Sequence, residues 1–168
     1  RCAKIIDLAG CLPERVLDDK GLTAEFPQWQ VEKIAAKTGI RQRHIVGEKE
    51  TALTLATRAA ERLFQKGSCR KESLDALIFC TQSPDYVLPP DCCLLQERLQ
   101  LPRKLLAFDY THGCSGYVYG LALAKSLIES GLAAASGSAF GLRAGAGGDA
   151  VLRAAAGGAG GLLGRPPG

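Results

Sequence analysis

The chain has 168 residues, of which 46% are hydrophobic and 23% are charged, and its formal net charge is +4. This length and apolar content suit one domain of ordinary size with a packed core. The 21 basic residues nearly balance the 17 acidic ones, which argues against a general nucleic-acid-binding protein.

The cysteines and the apolar runs of the sequence indicate the cellular compartment and exclude some kinds of site. The cysteines are odd in number and irregularly spaced without a Cys-x-x-Cys pair, so we expect neither a disulfide framework nor a metal site. No apolar run is long enough for a membrane span, and no signal peptide opens the sequence. A reducing cytoplasm is therefore the expected location. The seven cysteines are Cys2, Cys11, Cys69, Cys80, Cys92, Cys93 and Cys114.

The first half of the chain predicts one strand and two helices. Residues 4–9 are typical of a strand, which the following glycine and proline end. Residues 29–37 are typical of a short helix closed by Thr38-Gly39. Thr51 is a candidate N-cap for a longer helix that runs to residue 66 and has a glycine just beyond its end.

The second half alternates buried strands with helices. Residues 74–81 form a strand with a continuous apolar middle, which is typical of a sheet covered on both faces. Pro89-Pro90 favours the start of a helix that runs to about residue 99. Residues 105–108 form the next strand. The helix that follows, to about residue 130, is apolar at every position of its middle, which predicts a central, buried helix.

This order of elements predicts an α/β fold with helices on both faces of a sheet. The pattern stops near residue 132, because Ala and Gly make up most of residues 133–168 and no helix or strand period continues there. We therefore assign residues 1–132 to one domain and predict that residues 133–168 are a low-complexity, disordered tail. Either a flexible natural tail or a frame-shifted reading of the gene accounts for this composition.

Cys114 is the candidate nucleophile. It follows a strand and a Gly-containing turn and comes just before a helix, where unpaired N–H groups and the helix dipole favour the thiolate. A thiolate is a strong nucleophile, so the arrangement favours covalent catalysis by acyl transfer. The alternative is a small buried core residue. His112 invites a Cys–His dyad, but neighbours two residues apart across a tight turn rarely align for proton transfer.

Three stretches of this sequence resemble the β-ketoacyl-acyl-carrier-protein synthases III, which are thiolase-fold condensing enzymes. The first lies in residues 4–14 and contains KII and LPE. The second is KTGIRQRHI at residues 37–45. The third is FDYTHGCSGY at residues 108–117. Their order and separations also resemble those of the family.

By this resemblance, residues 1–132 are the N-terminal half of a layered αβαβα thiolase-like architecture, and Cys114 is the acylated nucleophile. In that family the cysteine attacks an acyl thioester, usually acyl-CoA, and the acyl-enzyme condenses with malonyl-acyl-carrier protein and releases carbon dioxide. The resemblance implies an acyltransferase of fatty acid biosynthesis or related lipid metabolism. It implies an acyl thioester and acyl carrier protein as partners, no cofactor beyond these substrates, and a homodimer for the full-length protein.

The resemblance also implies a substrate entrance, with departures from the family pattern. Lys37 matches a family arginine at the mouth of the CoA tunnel, where a cation suits a nucleotide phosphate. The family tryptophan that stacks there aligns with Lys33, and Trp29 lies one helical turn earlier as a candidate substitute. Leu88 matches the position from which each family subunit reaches into its partner's acyl pocket. Each of these residues also has an interpretation without a functional role. The lysines would form a solvated basic face, Trp29 would be an ordinary core or surface aromatic, and Leu88 would be an apolar loop residue.

The family's catalytic His and Asn have no match in this chain, and the resemblance covers less than half of a family member. We therefore expect a ketoacyl synthase III-type acyltransferase that is truncated and not competent alone. The alternative is a non-catalytic fragment or pseudoenzyme that pairs with another thiolase-fold chain. A weaker alternative is a redox-sensing protein that uses Cys114.

Overall fold

The structure is a computed structural model that describes residues 2–67, 69–142 and 148–157. A short 3₁₀ turn precedes the fourth strand. The described strands are β1 (Cys2–Cys11), β2 (Arg15–Asp18), β3 (Gln42–Ile45), β4 (Ala76–Thr81), β5 (Leu106–Tyr110), β6 (Ala135–Leu142) and β7 (Gly148–Gly157). The described helices are α1 (Asp19–Glu25), α2 (Val31–Thr38), α3 (Ala52–Gln65), α4 (Asp91–Arg98) and α5 (Gly116–Glu129).

Five strands form one mixed sheet in the order β1-β7-β6-β4-β5. Strand β4 is parallel to both of its neighbours, β5 and β6. Strand β7 is antiparallel to β1 and to β6. The parallel pairs place the carboxyl ends of β4 and β5 at the same edge of the sheet, and the turn that carries Cys114 begins at that edge.

Strand β4 is an inner strand, flanked by β6 and β5, and all six of its residues are buried. Leu77 and Phe79 belong to the large core cluster formed with α3 and α4, whereas Ile78 packs with residues of α5. Successive strand residues point to opposite faces, so this alternation places helices on both sides of the sheet. The expected α/β architecture with a doubly covered sheet is therefore confirmed.

The helices predicted from capping residues are confirmed. The Thr51 hydroxyl accepts a hydrogen bond from the Thr54 N–H at 3.2 Å, and the Thr54 hydroxyl accepts one from the Thr51 N–H at 2.8 Å, which forms a capping box. Gly67, just beyond α3, has φ +73°, and Gly39, at the end of α2, has φ +71°. Such left-handed conformations are the reason glycine ends helices.

The sequence pattern did not predict the two-stranded antiparallel ribbon of β2 and β3. Its register pairs Arg15 with Ile45 and Asp18 with Gln42. His44 Nδ1 lies 2.6 Å from the carbonyl oxygen of Pro13, which ties the ribbon to the end of β1. Each strand has only four residues, and so short a run carries little period for a sequence pattern to detect.

The structure differs from the expectation of a poorly ordered segment at residues 133–168. Strands β6 and β7 lie within it, between β4 and β1. Sheet pairing uses backbone N–H and C=O groups, so a segment of Ala and Gly without a side-chain period can still occupy the middle of a sheet. Residues 143–147 and 158–168 lie outside the described residues, and the expectation for them stays a prediction.

Helix α5 is buried on one side only. Its buried residues, Gly116, Gly120, Ala124 and Ile128, recur every fourth position and face the sheet. The expectation of a helix buried all round therefore differs from the structure. Within the described part of the chain, no helix is both long and apolar enough to cross a membrane.

Candidate active site

The candidate nucleophile Cys114 lies in the turn between β5 and α5. Its side chain is exposed, and Ser115 is the N-cap of α5. The Gly116 N–H donates to the Gly113 carbonyl at 2.8 Å, which closes the turn around Cys114. The thiol therefore sits directly before the positive end of an apolar helix, as the sequence predicts, and it is open to solvent, which the sequence left undecided.

The start of α5 approaches β4 so closely that only glycine fits at residue 116. A Cβ atom there would lie 2.6 Å from the Sγ of Cys80 and 3.2 Å from the Cβ of His112. The Tyr110 hydroxyl donates to the Gly116 carbonyl at 2.5 Å. Burial, followed by the hydrogen bond to Cys80, raises the pKa of Tyr110, so its hydroxyl stays protonated to a higher pH than that of an exposed tyrosine. These contacts fix the height of the Cys114 turn above the sheet.

His112 is engaged with its own turn rather than with the thiol. Its Nδ1 accepts a hydrogen bond from the Gly113 N–H at 3.1 Å and lies 3.2 Å from the Ser115 hydroxyl. The ring stacks on Tyr119 of α5, with centroids 4.6 Å apart. These contacts match the interpretation of His112 as a turn residue, and no hydrogen bond between His112 and Cys114 is found in the described part of the chain.

One buried acid, Asp91, and one partly buried acid, Asp109, position the elements beside the Cys114 turn. The Asp109 carboxylate accepts a hydrogen bond from the Cys92 N–H at 2.8 Å, which joins the end of β5 to the first turn of α4. Asp91 is fully buried and accepts from the Asp85 N–H at 3.2 and 3.0 Å. Burial raises the pKa of Asp91, while these hydrogen bonds oppose that effect. Both acids stand at strand or helix ends that the sequence predicted, but the contacts themselves are tertiary.

Leu88 lies in the loop before α4 and projects from it. Its side chain is 76% exposed, and that of the preceding Val87 is 92% exposed. The loop is held at its base by Asp91 and by a 3.1 Å hydrogen bond from the Thr51 hydroxyl to Asp85. An apolar side chain held out on a tethered loop agrees with the predicted place of Leu88, whose role stays a prediction.

The three predicted entrance residues occupy two places. Lys33 and Lys37 lie one turn apart on α2 and are both exposed, and neither forms an ion pair with the residues that the structure describes. Trp29 precedes α2 in the turn after α1, and its ring stacks on Phe26 with centroids 4.4 Å apart. The two lysines share a helix face. Trp29 does not lie on that face, and its ring packs against Phe26.

Sequence reasoning missed the residues that support the nucleophile turn. Cys80, Asp109 and Tyr110 come from β4 and β5. The contacts of Cys80 with the turn and of Asp109 with α4 join residues far apart in the chain, whereas Tyr110 bonds to Gly116, six residues on. The signal that could have found Cys80 is its position at the carboxyl end of a buried strand, next to the strand that leads to the nucleophile.

The two cysteines of α4, Cys92 and Cys93, can be compared with Cys114 in their burial. Burial raises the pKa of the Cys92 thiol, and the neighbouring Asp109 carboxylate acts in the same direction. Cys92 therefore stays protonated and shielded, whereas Cys93 is exposed like Cys114. Among the six cysteines whose side chains are described, none forms a disulfide.

Known proteins resemble this chain in sequence and in structure. No protein-family model matches the chain. β-Ketoacyl-[acyl-carrier-protein] synthase III of Thioalkalivibrio sulfidiphilus is 38% identical over 129 residues, and the same synthase of Xylella fastidiosa Temecula1 is 40% identical over 129 residues. Each alignment covers 77% of this chain and 39% of the relative. The chain thus spans about two fifths of the length of these curated relatives.

Solved structures agree in fold over most of the chain. A 3-oxoacyl-(acyl-carrier-protein) synthase III matches with a TM-score of 0.84 and 43% identity, covering 96% of this chain and 52% of its own. The corresponding synthase of Pseudomonas aeruginosa matches with a TM-score of 0.83 and 30% identity, covering 94% and 53%. The chain therefore has the thiolase fold and is a relative of the β-ketoacyl-[acyl-carrier-protein] synthases III that matches their N-terminal part.

Proposed function

We propose that this chain carries the acyl-accepting part of a ketoacyl synthase III-type reaction, with Cys114 as the nucleophile. The observation that supports the proposal most is the exposed thiol directly before α5, on a turn held to the sheet by the close approach of Gly116. A fixed, solvent-accessible thiol at a helix N-terminus is what attack on a thioester requires.

In the proposed step, the Cys114 thiolate attacks the carbonyl carbon of an acyl thioester. A new bond forms between Sγ and that carbon, and the bond from the carbon to the donor's sulfur breaks. The donor leaves as a thiol after taking up the proton that Cys114 released. His112 does not act as the base in this scheme, because its Nδ1 is already occupied by the Gly113 N–H and the Ser115 hydroxyl.

The donor enters, in this proposal, past the basic face of α2. Lys37 and Lys33 would meet the phosphates of acyl-CoA or of the carrier protein's prosthetic arm, since an ammonium is a point charge that binds phosphate without stacking. Trp29 is the candidate aromatic partner at the same entrance. Leu88, held out on the loop before α4, would reach the acyl pocket of a second subunit in a homodimer.

Condensation with malonyl-acyl-carrier protein is the second proposed step, and it needs more than this chain offers. The enolate formed by loss of carbon dioxide requires placed hydrogen-bond donors. The only histidines are His44, which contacts Pro13, and His112, which contacts its own turn. We infer that the chain accepts an acyl group but does not condense it alone. We also infer a cytoplasmic setting, which the odd number and irregular spacing of its cysteines favour.

A second candidate function rests on the exposed side of α5. In this alternative the chain is a non-catalytic partner that pairs with another thiolase-fold chain. Val118, Tyr119 and Leu123 give α5 an exposed apolar surface such as a protein partner would cover. Acyl transfer to Cys114 discriminates the two functions.

The test is incubation of the full chain with acetyl-CoA and with octanoyl-CoA, followed by peptide mass spectrometry. We expect one acyl group on Cys114, and none after Cys114→Ser. Cys93→Ser is the matched control. Cys93 is the other exposed thiol among the six cysteines whose side chains are described, and its replacement should not affect acylation. Acylation that falls on Cys93, or that survives Cys114→Ser, would contradict the proposal and favour the non-catalytic alternative.

A further inference from the structure

A cavity of about 340 Å³ lies between the β2–β3 ribbon and the α1–α2 turn, apart from the Cys114 turn. Its volume is within the range of small-molecule sites. Most of the lining is apolar, and one wall is the stacked Phe26–Trp29 pair. The apolar lining residues are Leu17, Leu22, Phe26, Trp29 and Ile45.

Of the three charged residues that line this cavity, two face each other and the third, Arg43, forms no ion pair with the described residues. Arg15, Glu25 and Arg43 line it, and Arg15 and Glu25 face each other at 3.7 Å. Arg43 forms no ion pair with the residues that the structure describes, and its Nη1 is shielded from solvent without a hydrogen-bond partner there. A shielded guanidinium nitrogen without an acceptor is costly, so an acceptor in the cavity would stabilise this arrangement.

These two features specify the chemistry of an occupant. The apolar lining favours a hydrocarbon or aromatic body, since burying apolar surface away from water is favourable. The unpaired Arg43 favours one carboxylate, which a guanidinium binds with two parallel hydrogen bonds after rotation of its long side chain. A neutral apolar molecule would leave Arg43 unpaired, and a small inorganic anion would leave the apolar lining uncovered.

We propose that this cavity binds an amphipathic monocarboxylate, with its apolar body against Phe26 and Trp29 and its carboxylate on Arg43. The site differs from the acyl-transfer site in its ligand, which is a free acid and not a thioester, and Cys114 does not line the cavity. Trp29 is the residue that it shares with the proposed donor entrance. It would let the chain sense or hold a medium-chain acid such as octanoate next to α2, the helix that carries Lys33 and Lys37.

Trp29 lines this cavity and is the only tryptophan in the chain, so its fluorescence reports on whether the cavity is occupied. We propose titrating the full chain with sodium octanoate while recording Trp29 fluorescence at constant ionic strength. We expect a saturable change in emission, since the ring is 47% exposed and an apolar chain would cover it. The same titration with 1-octanol tests the carboxylate, and one with sodium phosphate tests the apolar body. Both should bind at least about tenfold more weakly.

Substitutions at Arg43 test the position of the carboxylate. Arg43→Gln should weaken octanoate binding by about tenfold or more, while Arg43→Lys should keep part of the affinity because the charge remains. Arg41→Gln is the matched control, because Arg41 precedes the same strand but pairs with Asp19 at 3.7 Å and does not line the cavity. Circular dichroism establishes that each variant is folded.

Three results would overturn the proposal. The first is the absence of a saturable octanoate response in the unmodified chain. The second is equal binding of 1-octanol or phosphate. The third is an Arg43→Gln variant that is folded and binds as the unmodified chain does. Octanoate binding that persists in Cys114→Ser would show that this site stands independently of the proposed acyl transfer.

Discussion

At the scale of single residues, the Cys114 turn illustrates what local sequence carries. The thiol, its glycines and the following apolar helix are contiguous, so their order predicts a cysteine directly before a helix, but not whether its side chain is exposed. The contact between Gly116 and Cys80 is not local, because it depends on the place where α5 meets β4. A glycine inside a helix start has several explanations in sequence, and only the neighbouring strand shows which one applies.

The close approach at Gly116 makes a direct prediction. Gly116→Ala should lower the free energy of unfolding by about 1–3 kcal/mol, because its Cβ would meet Cys80 Sγ at 2.6 Å and force a shift. It should also slow acylation of Cys114, since the turn moves with the start of α5. Chemical denaturation and timed mass spectrometry measure the two effects.

Two further variants test the cause of that loss. Gly113→Ala is the matched control for stability, because its Cβ would come no closer than 3.8 Å to Gln82. Cys80→Ala in the Gly116→Ala background should recover part of the stability, which a double-mutant cycle quantifies. If Gly113→Ala destabilised the chain as much as Gly116→Ala, the clash with Cys80 would not be the cause.

At the scale of elements, prediction succeeded where a segment carries its own signals. Helix α3 has a cap, an apolar face and a terminal glycine, and strand β4 has a continuous apolar run, so both could be identified alone. Strands β2 and β3 are short and exposed in part, and β6 and β7 lie in an Ala- and Gly-rich segment. Their pairing depends on partners elsewhere in the chain, which a local pattern does not contain.

The capping box of α3 gives the prediction at this scale. Thr51→Ala should cost about 1–2 kcal/mol of stability, because it removes the acceptor for the Thr54 N–H and also the hydrogen bond to Asp85. Thr51→Ser should retain most of it. Urea denaturation followed by circular dichroism measures the difference.

Thr57→Ala is the control within the same helix. The Thr57 hydroxyl bonds only to the Leu53 carbonyl of the preceding turn, so its loss should change stability by less than about 0.5 kcal/mol. A Thr57→Ala effect as large as that of Thr51→Ala would mean that the cap has no special role.

At the scale of the whole molecule, the two faces of the sheet are covered unequally. Helices α3 and α4 form a large buried cluster on one face, whereas α5 covers the other with few buried residues, of which Ile128 is the only large one, and leaves Val118, Tyr119 and Leu123 exposed. Composition along α5 did not predict this asymmetry, because a helix apolar on every side is equally consistent with burial from both sides. The half-covered helix agrees with a chain that spans about half the length of its solved relatives.

This exposed side of α5 makes the last prediction, which concerns association. Val118 is 64% exposed and Leu123 is 38% exposed, and burying each against a partner would gain about 1.5–3 kcal/mol at most. The chain alone should therefore self-associate as its concentration rises. The double variant Val118→Glu with Leu123→Lys should stay monomeric at concentrations about tenfold higher, as sedimentation velocity would show.

The new charges should not unfold the chain, because both side chains point away from the sheet and a glutamate in the first turn of a helix interacts favourably with its dipole. Leu132→Lys is the matched control: Leu132 is 75% exposed but lies beyond the end of α5, so removing it should leave association almost unchanged. If Leu132→Lys produced monomers as effectively as the double variant, general surface charge would be responsible. If instead only the α5 variant did so, the apolar side of this helix would be the contact through which the chain meets a second copy.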